Sequence, residues 1–538
     1  MLNQPLIYRT LNLPPALFRN TLLTVKHRLL ALTLTFGLAA LPAFGQLILA
    51  DVQTITAQAV TRASQASPDS VIAIVDREGF VLGVWTVNGS LPATDILADA
   101  IAKAGTASFL SSDQHAFSSR TAGFIVQQNF PPGVQNSGPG PLVGVNFSNL
   151  PFSDINKFKG PGSVITFSST PGTTIVPVPE PVTGGLAGTP GGVPLFKNGH
   201  LVGGIGVAHA GDNPTAIQVN QLPTLDEDVA LAGETGYAPN PIYFGSNVTL
   251  NGIRVAYISS STSLGAVIPF ATLPGQNVAA YPLIASPPPF PYPTIFLGGQ
   301  TNEIRQPIIT DPGADLINGQ TRLTASEVTG ILALAANRAR TTRAGIRLPR
   351  GQIAQAFITV VNNPNTNGIP PLVLGTIRTP GATMFSWDVA VQKARTAVFF
   401  SSPAYSFSVR AVGFLAQQYY PPGINGTQPG LFWGLQERFS LFPQNVMNPL
   451  DGVIVTNAPV LDPNLPNGIT IFPGGFPLYR NGVMIGAIGV SGDGVDQDDL
   501  IAASGAQNFL APVAIRTDQY FYRNARLPYA KFPRNPAL

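Results

Sequence analysis

Four side chains, at two pairs of related positions, could together do coordination chemistry. His115 and Tyr405 both carry an atom that can ligate iron, since an imidazole nitrogen and a phenolate oxygen both serve as iron donors in proteins. Arg120 and Arg410 each follow five residues later, where a guanidinium can pair with a carboxylate of a ligand. The alternative is that all four are surface residues, with the arginines bonded to carbonyl or carboxylate groups of the chain.

Few other chemistries are open to this sequence. It has no cysteine and four histidines, which excludes disulfides, thiolate metal sites and a cysteine nucleophile. No Gly-x-Ser-x-Gly motif is present, and Gly203-Gly-Ile-Gly206 lacks the third glycine of a dinucleotide fingerprint. A net charge of +3 without a basic run disfavours a nucleic-acid partner.

The chain contains two copies of one unit. Thr106-Ala-Ser-Phe-Leu-Ser-Ser112 recurs 290 residues later as Thr396-Ala-Val-Phe-Phe-Ser-Ser402. Further on, Gly191-Gly-Val-Pro returns as Gly474-Gly-Phe-Pro, and Gly203-Gly-Ile-Gly-Val as Gly486-Ala-Ile-Gly-Val. The shared order and spacing predict two units of one fold. His115 and Tyr405 have equivalent positions in these units.

Periodicity predicts the elements of each unit. Apolar residues at helical spacing predict helices over 51–66, 96–104 and 323–343, and two apolar runs around a turn predict a hairpin over 71–87. Asn-Gly pairs at 198–199 and 481–482 predict two further hairpins. Together these elements predict an antiparallel sheet that packs against helices.

Two more helices bear on the candidate site. Ser112 and Ser402 are predicted to cap a third helix, with His115 and Tyr405 in its first turn. Acidic residues after Thr224 and after Gly494 predict a last helix in each unit, which we call the closing helix. Their negative charges would lie at the positive, N-terminal end of that helix.

These motifs resemble the GlcG/HbpS-like family, also called the haem-degrading domain. Lys103-Ala-x-Thr-Ala107, the Gly-Gly-x-Pro hairpin, Gly-x-Ile-Gly-Val and the acidic closing helix follow that family's order, and the second copy repeats them from Lys393. The resemblance implies an α+β fold of two tandem profilin-like units, each an antiparallel sheet flanked by helices. It further implies oligomerisation and, as in some members, binding of haem or a corrinoid outside the cytoplasm.

For this ligand class, His115 and Tyr405 are the candidate iron ligands, and Arg120 and Arg410 the candidate partners of the haem propionates. No histidine occurs in 51–66 or 323–343, so a haem ligand on the first helix cannot be carried over. His209 corresponds to Gly492 in the second copy, which argues against a role of this histidine that both units share. Long Pro/Gly-rich insertions at 134–190 and 424–473 depart from the family's compact pattern.

The expected organisation has four parts. Residues 1–45 are typical of a cleavable signal peptide, because an apolar run from Leu29 ends at Ala43-Phe44-Gly45. Units at 46–257 and 320–538, each with a short extended tail, are expected to flank a Pro-rich linker at 258–319.

The sequence therefore favours an exported, non-enzymatic binding protein for haem or a related tetrapyrrole, not attached to a membrane once the signal is removed. The alternative is a cofactor-free structural or interaction module that assembles through its units and long loops, and haem degradation is a third hypothesis. Self-association, or pairing of the two units within one chain, is also expected, since the linker keeps the units close.

Overall fold

The structure is a computed structural model. It describes residues 45–127, 130–132, 134, 140–142, 145, 148–149, 153–156, 185–209, 222–250, 252–286, 292–345, 352–366, 368–433, 435 and 468–531. The expected signal peptide, except for its last residue, lies outside these ranges, as do most of both insertions and residues 287–291 of the Pro-rich run. Within the described ranges, no helix combines the length and apolar character needed to cross a bilayer.

The first unit is a five-stranded antiparallel sheet with helices on both faces. Its sheet has the order β3-β4-β1-β2-β7. A separate two-stranded pair, β5 and β6, follows the last helix. The elements are α1 (Leu49–Ala66), β1 (Val71–Asp76), β2 (Val81–Thr86), α2 (Thr94–Leu110), α3 (Ser119–Ile125), β3 (Gly192–Lys197), β4 (His200–Ala208), α4 (Leu225–Glu234), β5 (Thr249–Leu250), β6 (Ile253–Arg254) and β7 (Gln276–Asn277).

The second unit repeats this architecture with one more strand. Its sheet has the order β12-β13-β10-β11-β9-β8, and β14 and β15 form the separate pair. The elements are β8 (Thr294–Leu297), β9 (Gln300–Gln306), α5 (Ala325–Thr341), β10 (Ala356–Asn362), β11 (Val373–Arg378), α6 (Ser386–Phe400), α7 (Val409–Leu415), β12 (Gly475–Arg480), β13 (Val483–Gly492), α8 (Val495–Gly505), β14 (Phe521–Tyr522) and β15 (Ala525–Arg526).

The central strands are apolar throughout because both of their faces are covered. On β1, Val71 and Ala73 pack with α2, whereas Ile72 and Ile74 pack with α1 and α4, as the alternation of strand side chains requires. Equivalent residues pair in both sheets, since Ile72 is opposite Val207 and Ile358 is opposite Val490. The α+β fold of two tandem units is confirmed.

Glycines in the strand after the Asn-Gly turn let a helix approach the sheet closely. A Cβ on Gly206 would lie 2.1 Å from the carbonyl oxygen of Ala100 in α2, and one on Gly489 would lie 2.0 Å from that of Ala390 in α6. Both distances are shorter than any contact a side chain tolerates. These glycines therefore serve helix packing and not the binding of a dinucleotide.

The third helix begins six residues later than the sequence predicted. Ser118 and Ser408 are the caps, and their hydroxyls accept hydrogen bonds from the backbone N–H groups of Thr121 and Ala411. Ser402 instead accepts from the N–H groups of Ala404 and Tyr405 within a short loop. The Ser-Pro pair was mistaken for a helix start because a local serine turn uses the same hydrogen bond.

The segment 258–319, expected to be a linker, is built into both sheets where the structure describes it. Gln276 pairs with Thr86 on β2, and Ile304 pairs with Ile377 on β11. The polyproline run suggested a free connection, but the residues on either side of it complete sheet edges, which a spacer would leave open. The tails after the closing helices, expected to be extended, contain 3-10 turns and the short pairs β5–β6 and β14–β15.

A buried charge cluster joins the two units. Arg305 on β9 is fully buried and binds Glu78, in the β1–β2 turn of the first unit, and Glu303. Its guanidinium lies 3.6 Å from the ring centre of Tyr292. Arg378 on β11 binds the same carboxylate of Glu303 at 3.2 Å. Buried ion pairs thus connect the two units within the chain.

The insertion of the first unit also packs against the second unit. Asp154 binds Arg395 of α6 at 2.7 Å, and both side chains are buried. Asp388, also on α6, accepts hydrogen bonds from the backbone N–H groups of Asn149 at 2.9 Å and Ile155 at 2.8 Å. Burial raises the pKa of Asp388 to about 6, although these two donors act in the opposite direction.

Replacing Asp154 by leucine should lower the free energy of unfolding by about 3–5 kcal/mol, because Arg395 is then left charged and buried without its carboxylate. The double variant Asp154→Leu/Arg395→Leu should lose less unfolding free energy, since it leaves neither member of the ion pair buried alone. Urea unfolding of the full chain measures both. Lys197→Met, which breaks a partly exposed pair with Asp51, is the control and should cost about 1 kcal/mol or less. Equal losses in all three variants would contradict the role of this pair.

The pKa of Asp388 predicts a pH dependence of stability. Because the folded chain holds this proton more tightly than the unfolded chain, Asp388 contributes most to stability below about pH 4, and that contribution is lost as the pH rises through about 6. Between pH 4 and pH 7, the unfolding free energy of Asp388→Asn should therefore fall less than that of the unchanged chain. The difference between the two falls should be on the order of 1–3 kcal/mol. Urea unfolding at several pH values tests this, and parallel curves for the two proteins would refute it.

Candidate functional site

A lysine buried between sheet and helices lies at the same place in both units. In the first unit, Lys103 of α2 donates to the carbonyl oxygen of Val207 at 2.9 Å and to Asp226 of α4 at 2.7 Å. A second carboxylate, that of Asp99, lies 3.0 Å from the same nitrogen. The side chains of Lys103 and Asp226 are fully buried, so the charge of each depends on the other.

The second unit repeats this arrangement with fewer charges. Lys393 of α6 donates to the carbonyl oxygen of Val490 at 2.7 Å and to Asp498 of α8 at 2.8 Å. Valine 389 stands where the first unit has Asp99. In both units, the lysine fastens the closing helix to α2 or α6 across the edge of the sheet.

Sequence reasoning quoted these lysines and acids as family motifs but did not pair them. The acids were expected at the positive end of the closing helix, whereas all six bind cations of other helices. The pairs are Asp226 with Lys103, Glu227 with Arg120, Asp228 with Arg62, Asp498 with Lys393, and Asp496 and Asp499 with Arg410. The available signal was a lysine at the same position of a largely apolar helix in both copies, since a buried lysine requires a partner.

A pocket lies beside Lys393, between the second unit and the insertion of the first. Its volume is about 270 Å³, counting the part open to solvent. The polar part of its lining includes Lys393, Ser491, Gly492 and Asp498. The apolar part comes from both units and includes Pro141, Leu142, Val145, Phe385, Val389, Phe472 and Val495. We refer to it as the inter-unit pocket.

The predicted site residues of the first unit are held by contacts within the protein. His115 is buried in the loop before α3, with Nδ1 3.0 Å from the hydroxyl of Ser112 and Nε2 3.0 Å from the carbonyl oxygen of Leu110. Arg120 binds Glu227 of α4 at 2.7 Å. The arginine therefore makes the contact with a local carboxylate that the sequence left as the alternative.

In the second unit, Tyr405 and Arg410 have the corresponding positions. Tyr405 is half-exposed, and its ring lies 5.3 Å from that of Tyr520. Arg410 binds Asp499 at 2.7 Å and Asp496 at 2.8 Å. None of the four predicted residues lines the inter-unit pocket, and their roles as haem contacts stay predictions.

The other two described histidines have carboxylate neighbours. His209 follows β4 and places Nδ1 2.6 Å from Asp226, whereas the partly exposed His200 lies 3.1 Å from Asp113. Among the residues that the structure describes, no group of three or more His, Asp or Glu side chains is arranged to hold a metal ion.

Comparison with known proteins gives the family. The family model described as "Haem degrading protein HbpS-like" matches residues 47–214 and 371–507. These two ranges cover more than half of the chain and fall in one unit each. The chain belongs to the HbpS-like family. The resemblance deduced from the repeated motifs is thereby confirmed, in both copies.

Solved structures similar to this HbpS-like chain each match about one unit. A PduOC:heme complex is 21% identical, with coverage of 36% of this chain and 98% of that chain and a TM-score of 0.24. Klebsiella pneumoniae protein ORFY is 22% identical, with coverage of 36% and 96% and a TM-score of 0.23. A double mutant of Streptomyces reticuli HbpS is 21% identical, with coverage of 38% and 97% and a TM-score of 0.22. No curated protein matches the chain.

The buried lysines should differ in their contribution to stability. Lys393→Met leaves one buried carboxylate without its cation and should cost about 3–5 kcal/mol of unfolding free energy. Lys103→Met leaves two carboxylates side by side and should cost more. Urea unfolding of the full chain measures both losses.

The double variant Lys393→Met/Asp498→Leu is the control. It should recover part of the loss, because an apolar pair of similar size replaces the ion pair. A Lys103→Met variant as stable as the unchanged chain would show that the ion pairs do not hold the closing helices.

Proposed function

We propose that this HbpS-like protein binds haem or a related tetrapyrrole without carrying out chemistry on it. The observation that carries the proposal is the family match, which extends over both units. The PduOC structure is a complex with heme, and at a TM-score of 0.24 it adds no argument from geometry.

The inter-unit pocket is where we propose that the ligand contacts the protein. A haem presents a flat apolar macrocycle with two propionates, and haem sites accordingly combine apolar walls with cations. The pocket has both, with Phe385 and Val389 among its walls and the ammonium of Lys393 at its polar part. The enclosed space is too small to admit a macrocycle, so the proposed contact is with the rim of the ring or a propionate at the mouth of the pocket.

His115 and Tyr405 remain the proposed iron ligands. Ligation by His115 requires an imidazole nitrogen to leave Ser112 or Leu110, because both nitrogens have partners in the structure. Tyr405 needs no such change, since its side chain is already half-exposed. We therefore expect iron ligation by His115 to cost more free energy than ligation by Tyr405.

Export is part of the proposal. The apolar run from Leu29 and the small residues at its end support cleavage before Gln46. Close to this point, Leu47 is fully buried in the core of the first unit. The carbonyl oxygen of Leu47 also accepts a hydrogen bond from Ser286.

A cofactor-free interaction module is the second candidate function. The observation in its favour is that the described part of the first insertion contacts the second unit, through Asp154 and Asn149. On this hypothesis the insertions serve assembly and no ligand is required.

Haemin titration of the purified full chain distinguishes the two functions. A saturable shift of the Soret band supports binding, and a spectrum equal to that of free haemin at all ratios would refute it. Loss of the shifted band in His115→Ala or Tyr405→Phe identifies the iron ligand. Unchanged spectra in both variants would contradict these ligands. Incubation with a reductant in air tests haem degradation, which predicts loss of the Soret band and a bile-pigment product.

A further inference from the structure

The short hairpins that follow the two closing helices differ in chemistry. The strand β5 ends at Leu250 and β14 ends at Tyr522. Each is joined to its antiparallel partner by a turn of two residues, so Leu250 and Tyr522 are equivalent. The first residue of the turn is Asn251 in the first unit and Arg523 in the second.

The aromatic residue that packs near each hairpin differs as well. Phe130 and Tyr420 each precede a Pro-Pro-Gly sequence, and each ring meets an equivalent phenylalanine edge-on. The distance between ring centres is 5.7 Å from Phe124 to Phe130 and 5.6 Å from Phe414 to Tyr420. At three equivalent positions the first unit thus has Phe, Leu and Asn, whereas the second unit has Tyr, Tyr and Arg.

Tyr420 carries a buried hydroxyl group that has no hydrogen-bond partner in the structure. The residue is 1% exposed, and its hydroxyl bonds to none of the residues that the structure describes. Its surroundings are apolar, with Leu415, Leu527 and Phe414 in the same cluster. A buried hydroxyl without a partner is costly, and Phe130 shows that phenylalanine fits the equivalent place. Packing alone therefore does not explain the oxygen of Tyr420.

Two further hydrogen-bond donors lie near this hydroxyl. The ring centre of Tyr522 is 5.0 Å from that of Tyr420, and the guanidinium of Arg523 is 5.0 Å from the ring centre of Tyr522. Burial raises the pKa of Tyr420, whereas the positive charge of Arg523 acts in the opposite direction. The guanidinium is therefore close enough to act on the hydroxyl.

Arg523 is fixed in place by part of its guanidinium. Its Nη1 donates to the carbonyl oxygens of Gln428 at 3.2 Å and Pro429 at 3.0 Å, while Nε and Nη2 donate to no residue in the described ranges. The φ of Arg523 is 45°, a left-handed conformation that favours asparagine over long side chains. The second unit thus has an arginine where the backbone suits the Asn251 of the first.

The charge around the hairpin suits an anion. Residues 507–531 contain four basic residues and one acidic residue, Asp518, which binds Arg516 at 3.1 Å. Phenol hydroxyls and a guanidinium can all donate hydrogen bonds, and a guanidinium pairs well with a carboxylate. A carboxylate on an apolar body also loses less hydration beside aromatic rings than a phosphate would.

We propose that the second unit has a binding site for a small carboxylate with an apolar body, held by Tyr420, Tyr522 and Arg523. We call it the tail-hairpin site. None of its three residues lines the inter-unit pocket, and the inference does not depend on haem binding. The first unit lacks the hydroxyls and the positive charge at the equivalent positions, so one ligand should bind per chain.

Fluorine NMR of para-fluorobenzoate with the purified full chain tests the site. The ligand signal should shift with saturation at one equivalent, and the uncharged methyl ester should show no saturable shift. Tyr420→Phe and Arg523→Asn each install the residue of the first unit and should weaken binding at least about fivefold. Arg254→Asn, which removes an arginine from the hairpin of the first unit, is the matched control and should leave binding within about twofold.

Loss of the fold is measured separately. Because asparagine suits the left-handed backbone, Arg523→Asn should unfold at the same urea concentration as the unchanged chain or at a higher one. Absence of a saturable shift in the unchanged chain, or equal weakening by Arg523→Asn and Arg254→Asn, would overturn the proposal. Displacement of the fluorobenzoate by inorganic phosphate at lower concentrations than by benzoate would refute the choice of a carboxylate. A chain that binds fluorobenzoate but not haemin would retain this site and lose the proposed function.

Discussion

A buried ammonium that needs a carboxylate is the constraint from which the rest of each unit follows. Lys103 and Lys393 are almost without exposure, and a lysine in such a place is tolerated only with its counter-charge. The carboxylate comes from the first turn of the closing helix, so the ion pair fixes that helix relative to α2 or α6. The backbone carbonyls of Val207 and Val490 bring the strand after the Asn-Gly turn into the same contact. Helix, strand and closing helix are thus positioned by one nitrogen atom in each unit.

The same constraint explains how the duplicated units keep one fold while their other residues differ. The ion pair is kept in both copies, so the fold is kept, and the residues around it are free to change. Around Lys103 they are ionisable, with Asp99 and His209 in contact with the pair. Around Lys393 they are mostly apolar, and a pocket remains. The first copy thus buries one more carboxylate beside its lysine than the second copy does.

Much of the fold could be predicted from the sequence because its signals are local or repeated. The hairpin at 71–87, the Asn-Gly turns and the first helix of each unit depend on residues close together in the chain. Asn198 and Asn481 indeed have positive φ values of 53° and 48°, as the tight turn requires. The third helix was placed too early because the serine-proline pair at 402–403 satisfies a local turn as well as it would a helix cap.

The site was harder to predict because its contacts are distant in sequence and cross between units. Nothing near Asp154 in the chain indicates Arg395 as its partner, and nothing near Glu78 indicates Arg305. The strand β9 could not be assigned to the second sheet, since its partner β11 lies about seventy residues later and strand formation depends on such partners. The strand β8 pairs with β9 and joins the sheet through it. His115 and Arg120 were correctly grouped as chemically capable residues, but the partners that engage them, Leu110 and Glu227, are visible only in three dimensions.

The segment that contributes strands to both sheets also restricts how the gene can change. Gln276 completes one sheet and Ile304 the other, while Glu78 and Asp154 reach from one half into the other. Loss of the first half would leave Arg395 without its carboxylate and Arg305 without Glu78. Loss of the second half would leave Glu78 and Asp154 without these cations. A gene that encoded one half alone would therefore specify a unit with uncompensated charges on the surface that the other half now covers.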